Sequence, residues 1–497
     1  MSCGKKKILL VWAILCIVCS CADKQQELPD FGWLEESERP DLSWINQVGA
    51  KSFPGENVFP VNEYGALGDG VTFCGDAIQK AIDACYESGG GKVTFEPGVY
   101  LTGAVFVKSG VNLCIGKGVT LVATPDSAAY PDIQTRIAGI EMMWPAAVIN
   151  IIDQKNAAVS GEGTLDCKGE IWWDKYWTMR RDYEQRGLRW IVDYDCKRVR
   201  GMLVQNSSDI TLKDFTLMRS GFWGIQILYS NYCTIDGVTI DNNVDGKHGP
   251  STDGIDIDSS ENILIENCTV DCNDDNICLK AGRDADGLRV NRPTQYVVIR
   301  NCTSLKGAGL ISCGSETSGD IRHIVGYNLK AYGTSNLLRI KSALNRGGVV
   351  ENIYVTGVVA DSVRTVLSVD LNWNPSYSYS TLPEEYEGKE IPSHWHTMLT
   401  RVEPEERGHP RFRKIYLSDV KSTNTGTLIS ASGWNESLKI EDIAVNNIVA
   451  DAQKGGRVKL SDNFRLKNIH LTTSEEIEFE NNTNLYEDIT YTEIINE

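Results

Sequence analysis

Hydrophobic and polar positions alternate along this chain in short runs, and the runs recur in phase. Asp253-Gly-Ile255-Asp-Ile257-Asp258 is followed by Asp275-Asn-Ile277-Cys-Leu279-Lys280, and each alternation predicts a short strand. Superposing them puts Ile255 on Ile277, Ile257 on Leu279, Asp253 on Asp275 and Thr252 on Asp274. Gly309-Leu-Ile311-Ser-Cys313 and Asn336-Leu-Leu338-Arg339-Ile340-Lys341 continue the frame, and Trp223-Gly-Ile225-Gln-Ile227 precedes it. Looser copies of Ile-x-Ile-x-Asn-Cys/Val start at Ile210, Cys233, Ile263, Val297, His323, Ile353, Ile415, Ile443 and Ile469. Apart from one long gap they are roughly 23 to 34 residues apart, the range of solenoid repeats. No helical pattern separates the strands, which argues against βαβ units, and a sandwich would not repeat in one phase. The pattern predicts an all-β fold, a right-handed parallel β-helix whose stacked coils share one core.

One segment breaks the pattern. Within Cys74 to Glu87, the residues Ala77, Ile78, Ala81, Ile82 and Cys85 follow a helical stripe before Gly89-Gly90-Gly91 stops it. A short N-terminal helix of this kind caps a solenoid, whose bare end would expose core and strand edges. Ahead of it, Lys5-Lys6-Lys7 and the apolar stretch Ile8 to Val18 read as an export signal too short to span a bilayer. Val18-Cys19-Ser20-Cys21 resembles a bacterial lipobox, with an ordinary signal peptide or a membrane anchor as the alternatives. The organisation expected is a lipoprotein signal at 1–20, a tether and lead-in of unassigned structure at 21–58, and the β-helix over 59–497. This places a monomer outside the cytoplasm, on a lipid anchor at the outer membrane or cell surface, or in the periplasm.

Composition narrows the partners. A net charge of -18 argues against nucleic acid, and mildly against an anionic substrate unless the site is locally basic. Removing Cys21 and the three cysteines of the signal from the total of 15 leaves eleven, an odd number. Cys268 and Cys302, in Glu-Asn-Cys-Thr and Arg-Asn-Cys-Thr, are expected to stack as small buried side chains, and a Cys74–Cys85 disulfide stays open. No zinc spacing is present, and neither a metal nor a cofactor is expected.

The repeat also aligns a polar stripe. Leu338 and Ile340 face inward, so Arg339 and Lys341 share the outer face, below a column with Trp223, Asp253 and Asp275. Parity alone would turn Asp253 and Asp275 inward, so an exposed bend ahead of each strand is expected, eased by Gly254. Clustered carboxylates repel, which leaves a protonated acid beside ionised ones, as glycoside hydrolysis requires. Solvated turns and calcium ligands are the plain alternatives for such acids. The long gap from about Asn372 to Arg411, with Trp373, His394, Trp395 and His396, is expected to wall the cleft. A smaller insertion, Gly282 to Pro293 with Arg283, is expected to form the other wall.

Four stretches carry a resemblance. Ser251-Thr-Asp253-Gly, Asn273-Asp274-Asp275, Gly307-Ala308-Gly309 and Arg339-Ile340-Lys341 resemble the ordered motifs of the polygalacturonase family, glycoside hydrolase family 28. The resemblance extends from Phe59 to near the C-terminus and includes Gly161-Glu-Gly-Thr-Leu-Asp166 and Ser220-Gly-Phe222-Trp223. It implies an inverting hydrolase of α-linked galacturonic acid in pectic oligo- or polysaccharide. By the same resemblance Asp274 is the general acid, Asp253 and Asp275 activate water, and Arg339 and Lys341 hold the sugar carboxylate. Trp223 is a candidate sugar platform and Arg283 a further substrate-binding candidate. One motif departs: Ala308 stands where the family usually has histidine, as in its rhamnogalacturonan hydrolases. The insertion at Gly282-Arg283-Asp284 is similar to those of exo-acting bacterial members. The competing functions are a calcium-dependent lyase with an arginine base and a non-catalytic pectin-binding β-helix.

Overall fold

The computed structural model describes residues 29–493 except 30, 54, 56, 379 and 380, so the expected export signal and Cys21 lie outside the described residues. Stacked coils form one sheet of 32 strands, and a separate antiparallel hairpin joins Asp132–Ile137 to Ile140–Pro145. The helix α1 (Gly75–Glu87) closes the N-terminal end with Ile78, Ala81, Ile82 and Cys85 buried. The strands that concern the site are β1 (Ile225–Leu228), β2 (Ile255–Asp258), β3 (Asp275–Lys280), β4 (Gly309–Cys313), β5 (Asn336–Lys341) and β6 (Thr365–Asp370). Helices also decorate the coils, among them α2 (Glu170–Gln185), α3 (Val192–Asp195), α4 (Asp284–Val290) and α5 (Ser393–Leu399).

Register follows the repeat residue for residue. Ile225, Ile255, Ile277, Ile311, Leu338 and Leu367 form one inward column, all parallel and all buried. The Asn of the repeat has its own cause. Asn267, Asn301 and Asn328 sit at successive corners with φ of 58°, 56° and 53°, a left-handed turn that asparagine tolerates better than most residues. Their amides also ladder, Asn301 Nδ2 donating to Asn267 Oδ1 at 3.2 Å and Asn328 Nδ2 to Asn301 Oδ1 at 2.6 Å. Cys268 and Cys302 follow these corners and are buried one above the other, as the repeat predicts. All eleven cysteines described are free thiols, so no disulfide joins Cys74 to Cys85; the Cys74 thiol instead donates to the carbonyls of Leu67 and Thr72.

The lead-in, to which the sequence assigns no structure, runs across the coils. Phe31, Leu34, Trp44 and Ile45 pack on an outer column that includes Leu264, Val298, Val325, Tyr354 and Tyr416. The Tyr354 hydroxyl donates to the Glu38 carbonyl at 2.6 Å, and Lys51 N–H donates to Asn156 Oδ1 at 2.7 Å. This strap therefore spans several rungs from one end of the contact to the other. Among the described residues no helix is long and apolar enough to cross a membrane.

The inner column generates a direct test. Ile257 is fully buried between Ile227 and Leu279. Ile257→Ala is expected to cost about 2–5 kcal/mol, read as a lower midpoint in denaturant unfolding. An unchanged midpoint would show that this face is not the core.

Candidate active site

The stripe predicted from the repeat lies at the start of β3 and on the outer faces of its neighbours. Gly254 lets the backbone enter β2 closely: a Cβ there would meet the Asn276 carbonyl oxygen at 2.5 Å. Asp253, Asp274 and Asp275 each present a carboxylate oxygen within 4.8 Å of the other two. The expected bends form, at Gly254 ahead of β2 and at Asn273–Asp274 ahead of β3, but they are not exposed. Asp275 opens β3 itself, and Asp253 and Asp275 are 3% and 1% exposed, while Asp274 is half-buried. Compensation makes this burial tolerable. Lys341 Nζ lies 2.8 Å from Asp275 Oδ2, Arg339 Nη1 lies 3.6 Å from Oδ1, and Ser312 Oγ donates to Oδ1 at 2.6 Å.

Lys280 is the group that the sequence reading passed over. Its Nζ lies 3.6 Å from Asp253, 3.5 Å from Asp256 and 3.6 Å from Glu316, and 5.1 Å from the Trp223 ring centroid. A signal for it existed, since Leu279 pairs with Cys313 and Cys313 with Ile340, which puts Lys280 and Lys341 in one column. Glu316 carried no such signal because it lies on a loop beyond the regular strands.

These partners set the proton affinities apart. Burial, then the charges of Asp256 and Asp274, pushes Asp253 well above the ordinary carboxylate range. Asp274 is also pushed up, by burial and then by Asp275. Burial acts the same way on Asp275, but Lys341 and Arg339 outweigh it and hold that carboxyl below its usual value. Asp256 is pushed up to about 8, chiefly by burial, with Lys280 opposing. Glu316 stays low despite burial because Lys280 and Arg346 face it. The acid set is close enough to share a cation, but Lys280, Arg339 and Lys341 already supply the positive charge.

A cavity of about 340 Å³ opens over these groups. Trp223, Asp253, Asp274, Asp275, Arg339 and Lys341 all line it, as does Trp373 from the long insertion. The Trp373 ring centroid lies 5.4 Å from the Arg339 guanidinium and 5.2 Å from Lys341 Nζ. Trp223 is 3% exposed, stacked on Phe222 at 4.6 Å, so it offers the cavity an edge more than an open platform. Arg283 corrects the expectation made for it. It is fully buried, bonded to Asp284 and to the Tyr194 hydroxyl, and no residue of 282–293 lines the cavity. After the turn at Gly282 (φ 76°), α4 packs against the hairpin, where Glu141 N–H donates to Asp286 at 2.9 Å, and not over the cavity. The second wall comes instead from α2, α3 and the segment between them, through Trp177, Arg180, Arg189, Trp190 and Asp193. The two walls clasp: Trp190 Nε1 donates to Ser376 Oγ at 3.2 Å, Arg186 Nη2 to the Tyr386 hydroxyl at 2.5 Å, and Trp395 Nε1 to Asp195 at 2.8 Å.

A parallel β-helix with three clustered carboxylates beside paired cations is the architecture of a carbohydrate-active solenoid. The chain belongs to glycosyl hydrolases family 28, whose model matches residues 112–383. It is 29% identical over 312 residues to a Vitis vinifera protein named "Probable polygalacturonase", covering 61% of this chain and 60% of the relative. It is 28% identical over 373 residues to the exo-poly-alpha-D-galacturonosidase of Dickeya chrysanthemi, covering 66% of this chain and 60% of that enzyme. The chain thus matches less than two thirds of the length of these relatives. In fold it is similar to the hyperthermoactive exopolygalacturonase of Thermotoga maritima, with a TM-score of 0.69 at 23% identity over 88% of this chain and 95% of that one.

The raised Asp256 gives a pH prediction. A folded-state value of about 8 against an ordinary 3.8 means that the folded protein binds the extra proton between those limits. Stability from this group therefore falls as pH rises from about 4 to about 8. Asp256→Asn is expected to flatten that fall, measured as Tm at intervals across the window. An unaltered slope would show that Asp256 stays ionised beside Lys280.

Proposed function

We propose that this protein is a pectin-degrading glycoside hydrolase that cleaves bonds of α-linked galacturonic acid from the chain end, with inversion. The observation that carries the reading is the separation of proton affinity within one carboxylate cluster. Asp274, pushed up by burial and by Asp275, is the carboxyl of the cluster suited to give a proton to the leaving glycosidic oxygen. Asp275, held ionised by Lys341 and Arg339, accepts the proton of the attacking water, with Asp253 beside it. Arg339 presents a guanidinium fork to the sugar carboxylate, and Lys341 adds a point charge on the same face. A polymer would run past the cavity if it were an open groove. The clasp of the α2–α3 wall on the long insertion favours a chain end instead.

The names of the similar proteins above support the pectin-degrading part of this reading. The basic Lys5–Lys7 run and Cys21 support placing the activity outside the cytoplasm on a lipid anchor. Ala308 favours a second substrate. It lies in the column of Asp274, next to Gly309, which pairs with Asp275, and leaves room where a histidine would stand. Rhamnogalacturonan, with a neutral sugar on one side of the bond, is that second reading, and product analysis on both polymers separates the two.

Asp274→Asn is expected to retain the fold and lose at least about 100-fold in turnover. Near-normal turnover would remove Asp274 as the acid. The stereochemistry is a separate test, because oxygens within 4.8 Å are closer than the roughly 6.5–9.5 Å usual for a carboxyl pair with water between. Proton NMR of the first product should show the β-anomer; an α-anomer would mean retention. Arg339→Ala should weaken uronic substrates by about 10- to 100-fold and spare neutral ones. Equal losses would make the residue structural.

A further inference from the structure

We propose that the α2–α3 wall carries a second carboxylate subsite, built on Arg180 and Arg189, for the sugar adjoining the one held by Arg339 and Lys341. The inference rests on the reading of the cleft as a pectin site. It narrows the substrate to chain ends in which a uronic acid is joined directly to another uronic acid.

Both arginines line the same cavity as Asp274 and Arg339. Each guanidinium lies over an indole, Arg180 at 5.3 Å from the Trp177 centroid and Arg189 at 4.1 Å from that of Trp190. Arg180 is also fixed by one acid and Arg189 by two, its Nε lying 3.3 Å from Glu184. Arg180 Nε donates to Glu184 at 2.8 Å, and Arg189 Nη1 donates to Asp193 at 3.1 Å. Among the described residues no acceptor meets Nη1 or Nη2 of Arg180, or Nη2 of Arg189. The planes are thus held in place with donors remaining, which is the preorganisation that bidentate carboxylate recognition needs.

The charge of the wall points the same way. Arg198, fully buried behind it, lies 3.9 Å from Asp193, so three guanidiniums meet the two carboxylates of Glu184 and Asp193. An excess of positive charge beside an acidic cluster, in a chain of net charge -18, is where an anion would be attracted. A solely structural role would not require both guanidiniums to stay partly exposed, at 29% and 25% of their side chains. A neutral neighbour such as rhamnose has no group for these forks.

The test uses full-length protein carrying Asp274→Asn, so that ligand is bound and not consumed. Calorimetry with trigalacturonate, and with trigalacturonate methyl-esterified at all three carboxyls, compares this protein with one that also carries Arg180→Gln and Arg189→Gln. The expected result is binding of trigalacturonate about 10- to 100-fold weaker in the arginine variant, with the esterified ligand bound alike by both. Arg189→Lys, which keeps the charge and loses the fork, should fall between; it also serves if the double variant loses its circular dichroism spectrum. Equal weakening of both ligands, or of neither, overturns the second subsite alone. If the Asp274→Asn protein binds no oligogalacturonate at all, the pectin reading fails and the subsite with it.

Discussion

Parallel strands stacked in register at about 4.8 Å place every residue of one coil against its counterpart in the next. For the inner columns this is benign, since Ile on Ile on Ile builds a continuous core. For the corners it favours a run of residues that accept a left-handed turn, such as Asn267, Asn301 and Asn328. On the outer face the same rule puts Asp253 beside Asp275, with Asp274 adjoining. At an effective dielectric of about 20, two carboxylates at such a spacing repel by about 3.5 kcal/mol. The cluster therefore exists only because other columns bring cations against it.

How those cations are shared explains the chemistry. Asp275 has Lys341, Arg339 and the Ser312 hydroxyl, whereas Asp253 shares Lys280 with Asp256 and Glu316. One carboxyl is thereby held ionised while its neighbours are pushed toward the protonated form. Among the described residues Asp274 has no ion pair of its own, and burial with the Asp275 charge beside it raises its proton affinity, which separates that acid from the cation-paired Asp275. No strain or flexibility needs to be invoked for this difference, because rigid coils set the spacing.

The walls obey a different logic. They come from insertions between coils, and they meet over a satellite core of Ile137, Ile140, Trp144, Tyr194, Trp395 and Met398. Clasping contacts such as Trp395 Nε1 on Asp195 join segments about two hundred residues apart in sequence. A rigid solenoid holds the reacting groups, and the shape of the cleft is left to loops that can vary without disturbing the core.

The chain by itself determined the β-helix, its register, the capping helix and the alignment of Asp253, Asp274, Asp275, Arg339 and Lys341. These are consequences of period and parity, which a repeated pattern records in the linear sequence. Lys280 was legible by the same rule, in the column of Lys341. Tertiary structure alone decided that the acids are buried, that Arg283 is buried against Asp284 and Tyr194, and that Arg180, Arg189 and their indoles face the cleft. It also decided that the lead-in lies as a strap across the coils. Loops and insertions have no period, so their placement depends on packing against residues far along the chain, and that information is not written in any local stretch.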